Sequence, residues 1–225
     1  MIKNYIILIV GILFSCQLTA QNDKESEIRL SLYGMYTFED SFDSYYDYGN
    51  YYQGVIQDGM LYGLGFEFEV RKDAFLELSY LREITSAPTQ YYNGGVFAKY
   101  ADIDLKINYL MLGGNHSFSK PGSKVEGFAG FSLGMAIVDL DYNDGNSNSY
   151  INERVSKFAW GLKAGAIVWA TPKLGVKLQA QFLSVAQSVG GGYYFGTGGS
   201  GAAVSTYSSI YQFSLGGGLV YSVGK

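Results

Sequence analysis

Apolar and polar residues alternate along most of the chain. At the end, between Tyr207 and Val223, the odd positions Tyr211, Phe213, Leu215, Gly217, Leu219, Tyr221 and Val223 are mostly large and apolar. The even positions Gln212, Ser214, Gly216, Gly218, Val220 and Ser222 are mostly small or polar. A period of two is the mark of a strand with two unlike faces. The run exceeds the ~5–6 residues usual for a soluble strand and suits a tilted bilayer-spanning strand of ~9–11 residues with an overhang.

The same alternation predicts seven earlier strands, near residues 27–38, 59–70, 74–85, 100–118, 124–138, 154–170 and 174–186. In the first, Ile28, Leu30, Leu32, Tyr36 and Phe38 oppose Arg29, Ser31, Tyr33 and Thr37. In the second, Tyr62, Leu64, Phe66, Phe68 and Val70 oppose Gly63, Gly65, Glu67 and Glu69. In the fourth, Ile103, Leu105, Ile107, Tyr109 and Met111 are read as facing out, and Asp104, Lys106 and Asn108 as facing in. An even count of eight antiparallel strands fits a closed up-and-down barrel, which leaves no backbone group unpaired in lipid.

The connections alternate regularly in length. Residues 39–58, 86–99, 139–153 and 187–206 read as long loops; residues 71–73, 119–123 and 171–173 read as tight turns with Pro-Gly or charged chemistry. Membrane barrels of bacterial outer membranes have short periplasmic turns and long extracellular loops, so both termini are expected in the periplasm. A soluble sandwich or ligand-binding barrel would show the same alternation with its faces exchanged. Strand length, a polar face dense in small residues, and tyrosines near strand ends favour the membrane.

Composition sharpens this. Of 225 residues, 48% are hydrophobic and only 16% charged, with 30 Gly, 21 Tyr, 14 Phe and 3 Pro. Soluble domains carry nearer ~25% charge. The formal net charge of −4, without a basic patch, argues against nucleic acid as a partner. No stretch is long and apolar enough for a transmembrane helix. Residues 1–20 read as a signal peptide, with Lys3 followed by a short apolar core and cleavage expected after Ala20. Residues 21–225 are then the barrel. Cys16, the single cysteine, offers the alternative of lipidation.

In this architecture, and in its last residues Gly218-Leu219-Val220-Tyr221-Ser222-Val223, the chain resembles the small outer-membrane β-barrel proteins of the OmpA/OmpX-like group. The closing pattern of glycine, aromatic and final hydrophobic resembles that group's C-terminal assembly signal. It departs at Gly216, where a polar residue is usual, and at Gly224-Lys225, which follow the signal. The resemblance implies an all-β, eight-stranded transmembrane barrel in the outer membrane of a Gram-negative bacterium. It implies lipid and lipopolysaccharide as surroundings, and the outer-membrane assembly machinery as a partner of the last strand.

The candidate residues fall into two groups. Arg29, Glu67, Glu69, Glu77, Asp104, Lys106, Glu126, Lys163 and Lys177 are read as an inward charge network. An eight-stranded interior is just wide enough for side chains to fill, and buried charges must pair, so the network is expected to plug the lumen. Tyr45, Tyr46, Tyr48, Tyr51, Tyr52, Tyr91, Tyr92, Tyr193 and Tyr194 are read as an outer-loop contact surface for an extracellular ligand or surface partner.

Neither catalysis nor a cofactor is expected. His116 and Ser117 are adjacent, so on a strand they point to opposite faces, out of the reach that Ser-His chemistry needs. Asp139, Asp141, Asn143 and Asp144 begin like a calcium loop, but Asp144 and Tyr150 stand where glycine and glutamate belong. The expected role is a non-enzymatic barrel serving envelope integrity and surface interaction; the alternative is a small porin.

Overall fold

The structure, a computed structural model, describes residues 26–46, 50–92, 99–101, 103–144, 149–185, 189–196, 199–206 and 210–223. The expected signal peptide, with Cys16, lies outside the described residues, as do Tyr48, Gly224 and Lys225. The strands are β1 (Ile28–Thr37), β2 (Asp40–Tyr46), β3 (Asn50–Ile56), β4 (Gly59–Arg71), β5 (Ala74–Ser86), β6 (Thr89–Tyr92) and β7 (Lys99–Ala101). They continue as β8 (Ile103–Ser119), β9 (Val125–Asp144), β10 (Ser149–Trp169), β11 (Leu174–Val185), β12 (Val189–Gly196), β13 (Gly199–Thr206) and β14 (Ile210–Val223).

Eight of these close into a barrel in the order β1-β14-β11-β10-β9-β8-β5-β4. Each barrel strand pairs antiparallel with the next in the chain, and β14 closes against β1 from Ile28↔Val223 to Thr37↔Ser214.

Three tight turns define one end. Lys72-Asp73 closes the first, with Asp73 at φ 62. That is the left-handed region, which Asp tolerates better than bulkier residues do. Pro121-Gly122 closes the second, with Gly122 at φ 79, where a side chain would be strained. In the third, Thr171 Oγ1 accepts the N–H groups of Lys173 (3.3 Å) and Leu174 (2.9 Å).

The opposite, loop end holds more regular structure than the sequence suggests. β2, β3, β6 and β7 form a separate four-stranded sheet, and β12 pairs with β13. Residues 139–144 and 149–153, expected within a loop, are continuations of β9 and β10, which pair as far as Ser149↔Asp144. β9 and β10 are 20 and 21 residues long. At ~3.3 Å per residue both outrun a ~30 Å hydrocarbon layer. Asn, Asp and Gly mask these strands in the sequence, because outside lipid the pairing needs no apolar face.

The outward face is a belt of exposed apolar side chains, among them Leu64 (60%), Leu78 (50%), Leu112 (54%), Leu178 (57%) and Leu219 (51%). A continuous belt of this kind is unstable in water and at home in lipid. Aromatic rings run across neighbouring strands on it, Phe131–Trp160–Phe182–Tyr211, with centroids 6.5, 5.7 and 5.8 Å apart. Phe38 stacks on Phe213 across strands (5.8 Å), with Tyr36, two residues back in the same segment, edge-on to it (5.2 Å). Such cross-strand pairs add to sheet stability beyond their area.

Strand β8 corrects an expectation. Leu105, Ile107, Tyr109 and Met111 are buried in the lumen, and Leu110, Leu112 and Phe118 face lipid. Asp104 is therefore on the outer wall, exposed, and Lys106 shares that wall. The expected phase was inverted because the lumen beside the loop end is apolar, so the polar members of the alternation point outward. There Lys106 Nζ pairs with Asp141 Oδ2 at 2.9 Å, Arg154 pairs with Asp139, and Tyr80 Oη donates to Asn108 Oδ1 at 2.8 Å. These groups form a polar collar above the lipid-facing belt.

Candidate functional site

The barrel interior is stratified. Toward the turn end it carries charge, because β1, β4, β5, β9, β10 and β11 all place ionisable residues at inward positions of that level. Arg29, Glu67, Glu77, Glu126 and Lys177 are buried to 4% exposure or less. Arg29 lies between two carboxylates: its Nε donates to Glu27 Oε1 at 2.8 Å and its Nη1 to Glu126 Oε1 at 2.5 Å. Its Nη2 reaches both, at 3.2 Å each. The guanidinium also stacks over the rings of Phe75 (4.1 Å) and Trp169 (5.3 Å). Trp169 Nε1 donates to Glu126 Oε2 at 3.0 Å, and Ser222 Oγ to Glu27 Oε1 at 2.7 Å.

A second group abuts the first. Lys177 Nζ donates to Glu67 Oε1 at 2.5 Å and lies 4.5 Å from the Phe128 ring centre. Lys163 pairs with Glu77. Tyr33 Oη donates to Glu77 Oε1 at 2.8 Å, while Asn115 Nδ2 bridges Glu67 (3.1 Å) and Glu77 (2.5 Å). Two glycines make room. A methyl on Gly65 would sit 2.6 Å from Tyr33 Oη, and one on Gly165 2.8 Å from the Phe128 ring.

Every ionised group here has an oppositely charged partner, the condition for burying charge at all. The remaining void beside Tyr33, Glu77 and Lys163 is about 10 Å³, room for about one water.

Of the nine charges read as inward, the structure brings six together: Arg29, Glu67, Glu77, Glu126, Lys163 and Lys177. Glu69 stands apart at the turn end, where its carboxylate accepts the N–H groups of Glu27 and Asp73, each at 3.3 Å. Asp104 and Lys106 are on the outer wall, as described above. Glu27 was missed. The signal for it was parity: it lies two residues before Arg29, hence on the same face.

Above the charged layer the lumen turns apolar, with Met35, Leu61, Leu81, Ile107, Met111 and Leu183 packed together. Tyr109 Oη donates to Gln212 Oε1 within this layer. Glu83, fully buried, has no hydrogen bond of ordinary length to either oxygen, although Gln212 and Thr37 lie beside it.

Of the loop tyrosines, eight fall on described strands, whose backbone register is defined. β2, β3 and β6 align Tyr45, Tyr51 and Tyr92 in one cross-strand row and Tyr52 with Tyr91 in the next. Tyr46 pairs with Asn50, Tyr193 with Ala202 and Tyr194 with Gly201. His116 is exposed on the outer face, edge-on to Phe118 at 4.8 Å, and Ser117 is buried on the other face. Among the described residues no group of three or more His, Cys, Asp or Glu is placed to hold a metal ion.

No protein-family model and no curated protein sequence matches the chain. Solved structures do. The outer membrane protein OprG of Pseudomonas aeruginosa superposes with a TM-score of 0.57 at 12% identity, covering 91% of this chain and 99% of its own. Neisserial surface protein A superposes with a TM-score of 0.51 at 13% identity, covering 88% and 97%. The fold is that of the eight-stranded outer-membrane β-barrels. With this fold and its lipid-facing belt, the barrel is an integral protein of the outer membrane.

Proposed function

We propose that this barrel is a plugged, non-enzymatic outer-membrane protein, loop end outward, that serves envelope integrity and makes surface contacts through its tyrosine-bearing loop strands. The observation that carries the reading is the ion-paired layer of Glu27, Arg29, Glu67, Glu77, Glu126, Lys163 and Lys177 across the lumen. A porin needs charges that line a water path. These are engaged with one another, and the void beside them holds about 10 Å³.

The orientation follows the habit of such barrels, short turns inside and long connections outside. The assembly role of the last strand is supported by Tyr221 and Val223, which stand exposed on the outer face at the turn end. The tyrosine rows support a contact role because Tyr offers a large amphipathic surface at low entropic cost.

The test is single-channel conductance of the purified protein in a planar bilayer, with insertion verified independently. A silent bilayer is the expected result. Discrete, reproducible steps would replace the plug with the porin reading.

A further inference from the structure

Five cations stand at the turn end of the barrel: Arg71 and Lys72 in the first tight turn, Lys120 and Lys124 around the second, and Lys173 in the third. All five are exposed, and among the described residues none is held in an ion pair. The turns follow one another around the rim. Ser117, near the end of β8, donates its N–H to Asp73 O at 2.8 Å; Trp169 of β10 donates to Lys124 O at 2.8 Å, and Ser222 of β14 to Lys173 O at 2.7 Å. The carboxylates of that end are mostly engaged. Glu27 and Glu126 hold Arg29, and Glu69 accepts two backbone N–H groups. Asp73 is left to offset the five cations, in a chain whose net charge is −4. The collar at the other end differs, since its Lys106 and Arg154 are paired with Asp141 and Asp139. Position adds to sign. Val70, Phe118, Val125 and Leu174 are exposed apolar residues of the lipid-facing belt, and each lies within two residues of one of the five cations. Where the belt stops, hydrocarbon gives way to headgroups, so these cations stand at the level of lipid phosphates.

We propose that the turn-end rim is a binding surface for anionic glycerophospholipids, whose headgroup phosphates are held by Arg71, Lys72, Lys120, Lys124 and Lys173. A phosphate oxygen accepts charge-assisted hydrogen bonds from an ammonium or guanidinium. A zwitterionic headgroup carries its own cation, which opposes the rim, so the surface selects lipids of net negative charge. The cations are distributed over three turns, each beside the belt. That spacing suits several boundary lipids with one phosphate each, their acyl chains lying along the belt below. The surface depends neither on the plug nor on which way the loop end faces, so a conducting bilayer would leave it standing.

The test places the purified protein in phosphatidylcholine vesicles, the same lipid in both leaflets, with a trace of phosphatidylglycerol or phosphatidylcholine spin-labelled on the acyl chain. Electron spin resonance reads the fraction of label slowed by contact with the barrel. The expected result is that phosphatidylglycerol associates about twofold more strongly than phosphatidylcholine, averaged over all boundary lipids. The preference falls toward one in about 1 M salt, where screening is complete within a few ångströms. A variant carrying Lys72→Gln, Lys120→Gln, Lys124→Gln and Lys173→Gln loses most of it. A collar variant, Lys106→Gln with Arg154→Gln, keeps it. Each variant is checked for heat-modifiable gel migration, so that loss of fold is not read as loss of lipid selectivity. Equal association of the two lipids with the wild-type protein overturns the proposal and leaves the cations merely solvated. A preference that survives the turn-end variant, or that the collar variant abolishes, overturns the assignment to this rim.

Discussion

Lys177 shows what a buried cation demands of its neighbours. Its Nζ is held by Glu67 and faces the rings of Phe128 and Tyr33. Removing it leaves the buried Glu67 carboxylate without its ion-pair partner, although Asn115 Nδ2 still donates to it. Lys177→Met should therefore cost about 3–5 kcal/mol, whereas Lys177→Met with Glu67→Met should cost far less, because the uncompensated charge leaves with it. Urea unfolding of the two variants in lipid vesicles checks this; equal losses would show that the pair acts only through packing. Glu83 is the converse case. Because neither oxygen has a hydrogen bond of ordinary length, Glu83→Gln should leave stability unchanged or raise it by up to about 2 kcal/mol. A clear loss would mean the carboxylate is doing structural work through Gln212 or Thr37. Most of the ion cluster was legible from parity alone, since Arg29, Glu67, Glu77, Glu126, Lys163 and Lys177 each alternate with lipid-facing neighbours. Which carboxylate meets which cation was not legible. That depends on strand register and on the room left by Gly65 and Gly165, neither of which a one-dimensional pattern encodes.

At the level of elements, all eight barrel strands were visible in the sequence, and β8 was read on the wrong face. Both of its faces carry large apolar residues, Leu105, Ile107, Tyr109 and Met111 inward and Leu110, Leu112 and Phe118 outward. Alternation then says that two faces exist but not which one meets lipid. Asp104 and Lys106 are charged yet face outward, because they sit in the collar where outward no longer means lipid. The substitution that separates the two environments is a pair. Leu64→Arg, on the belt, should cost about 2–4 kcal/mol at the bilayer midplane. Asp104→Leu, in the collar, should change stability by no more than about 0.5 kcal/mol. If Asp104→Leu proved as damaging as Leu64→Arg, the collar assignment would fail. The loop-end strands were missed for a different reason. β2, β3, β6, β12 and β13 pair by backbone bonds among residues rich in Gly, Ser, Asp and Tyr, which carry no regular alternation of large apolar residues in the sequence.

For the whole molecule, the layering of the interior decides what crosses it. The ion-paired layer toward the turn end and the apolar layer of Met35, Leu61, Leu81, Ile107, Met111 and Leu183 above it lie in series along one lumen. A path needs both to open. Replacing Glu67, Glu77, Lys163 and Lys177 together by alanine removes two cations and two carboxylates, so the net charge of the lumen is unchanged while its side-chain volume falls. This should admit water to the turn-end half yet leave the bilayer silent, because an apolar constriction blocks ions by excluding water. Adding Met35→Ser and Met111→Ser, which wets the second layer, should then produce discrete conductance steps. Steps from the alanine variant alone would show that the ion pairs are the only seal. Silence from the combined variant, with heat-modifiable migration and β-structure intact, would place the seal higher, toward the loop end.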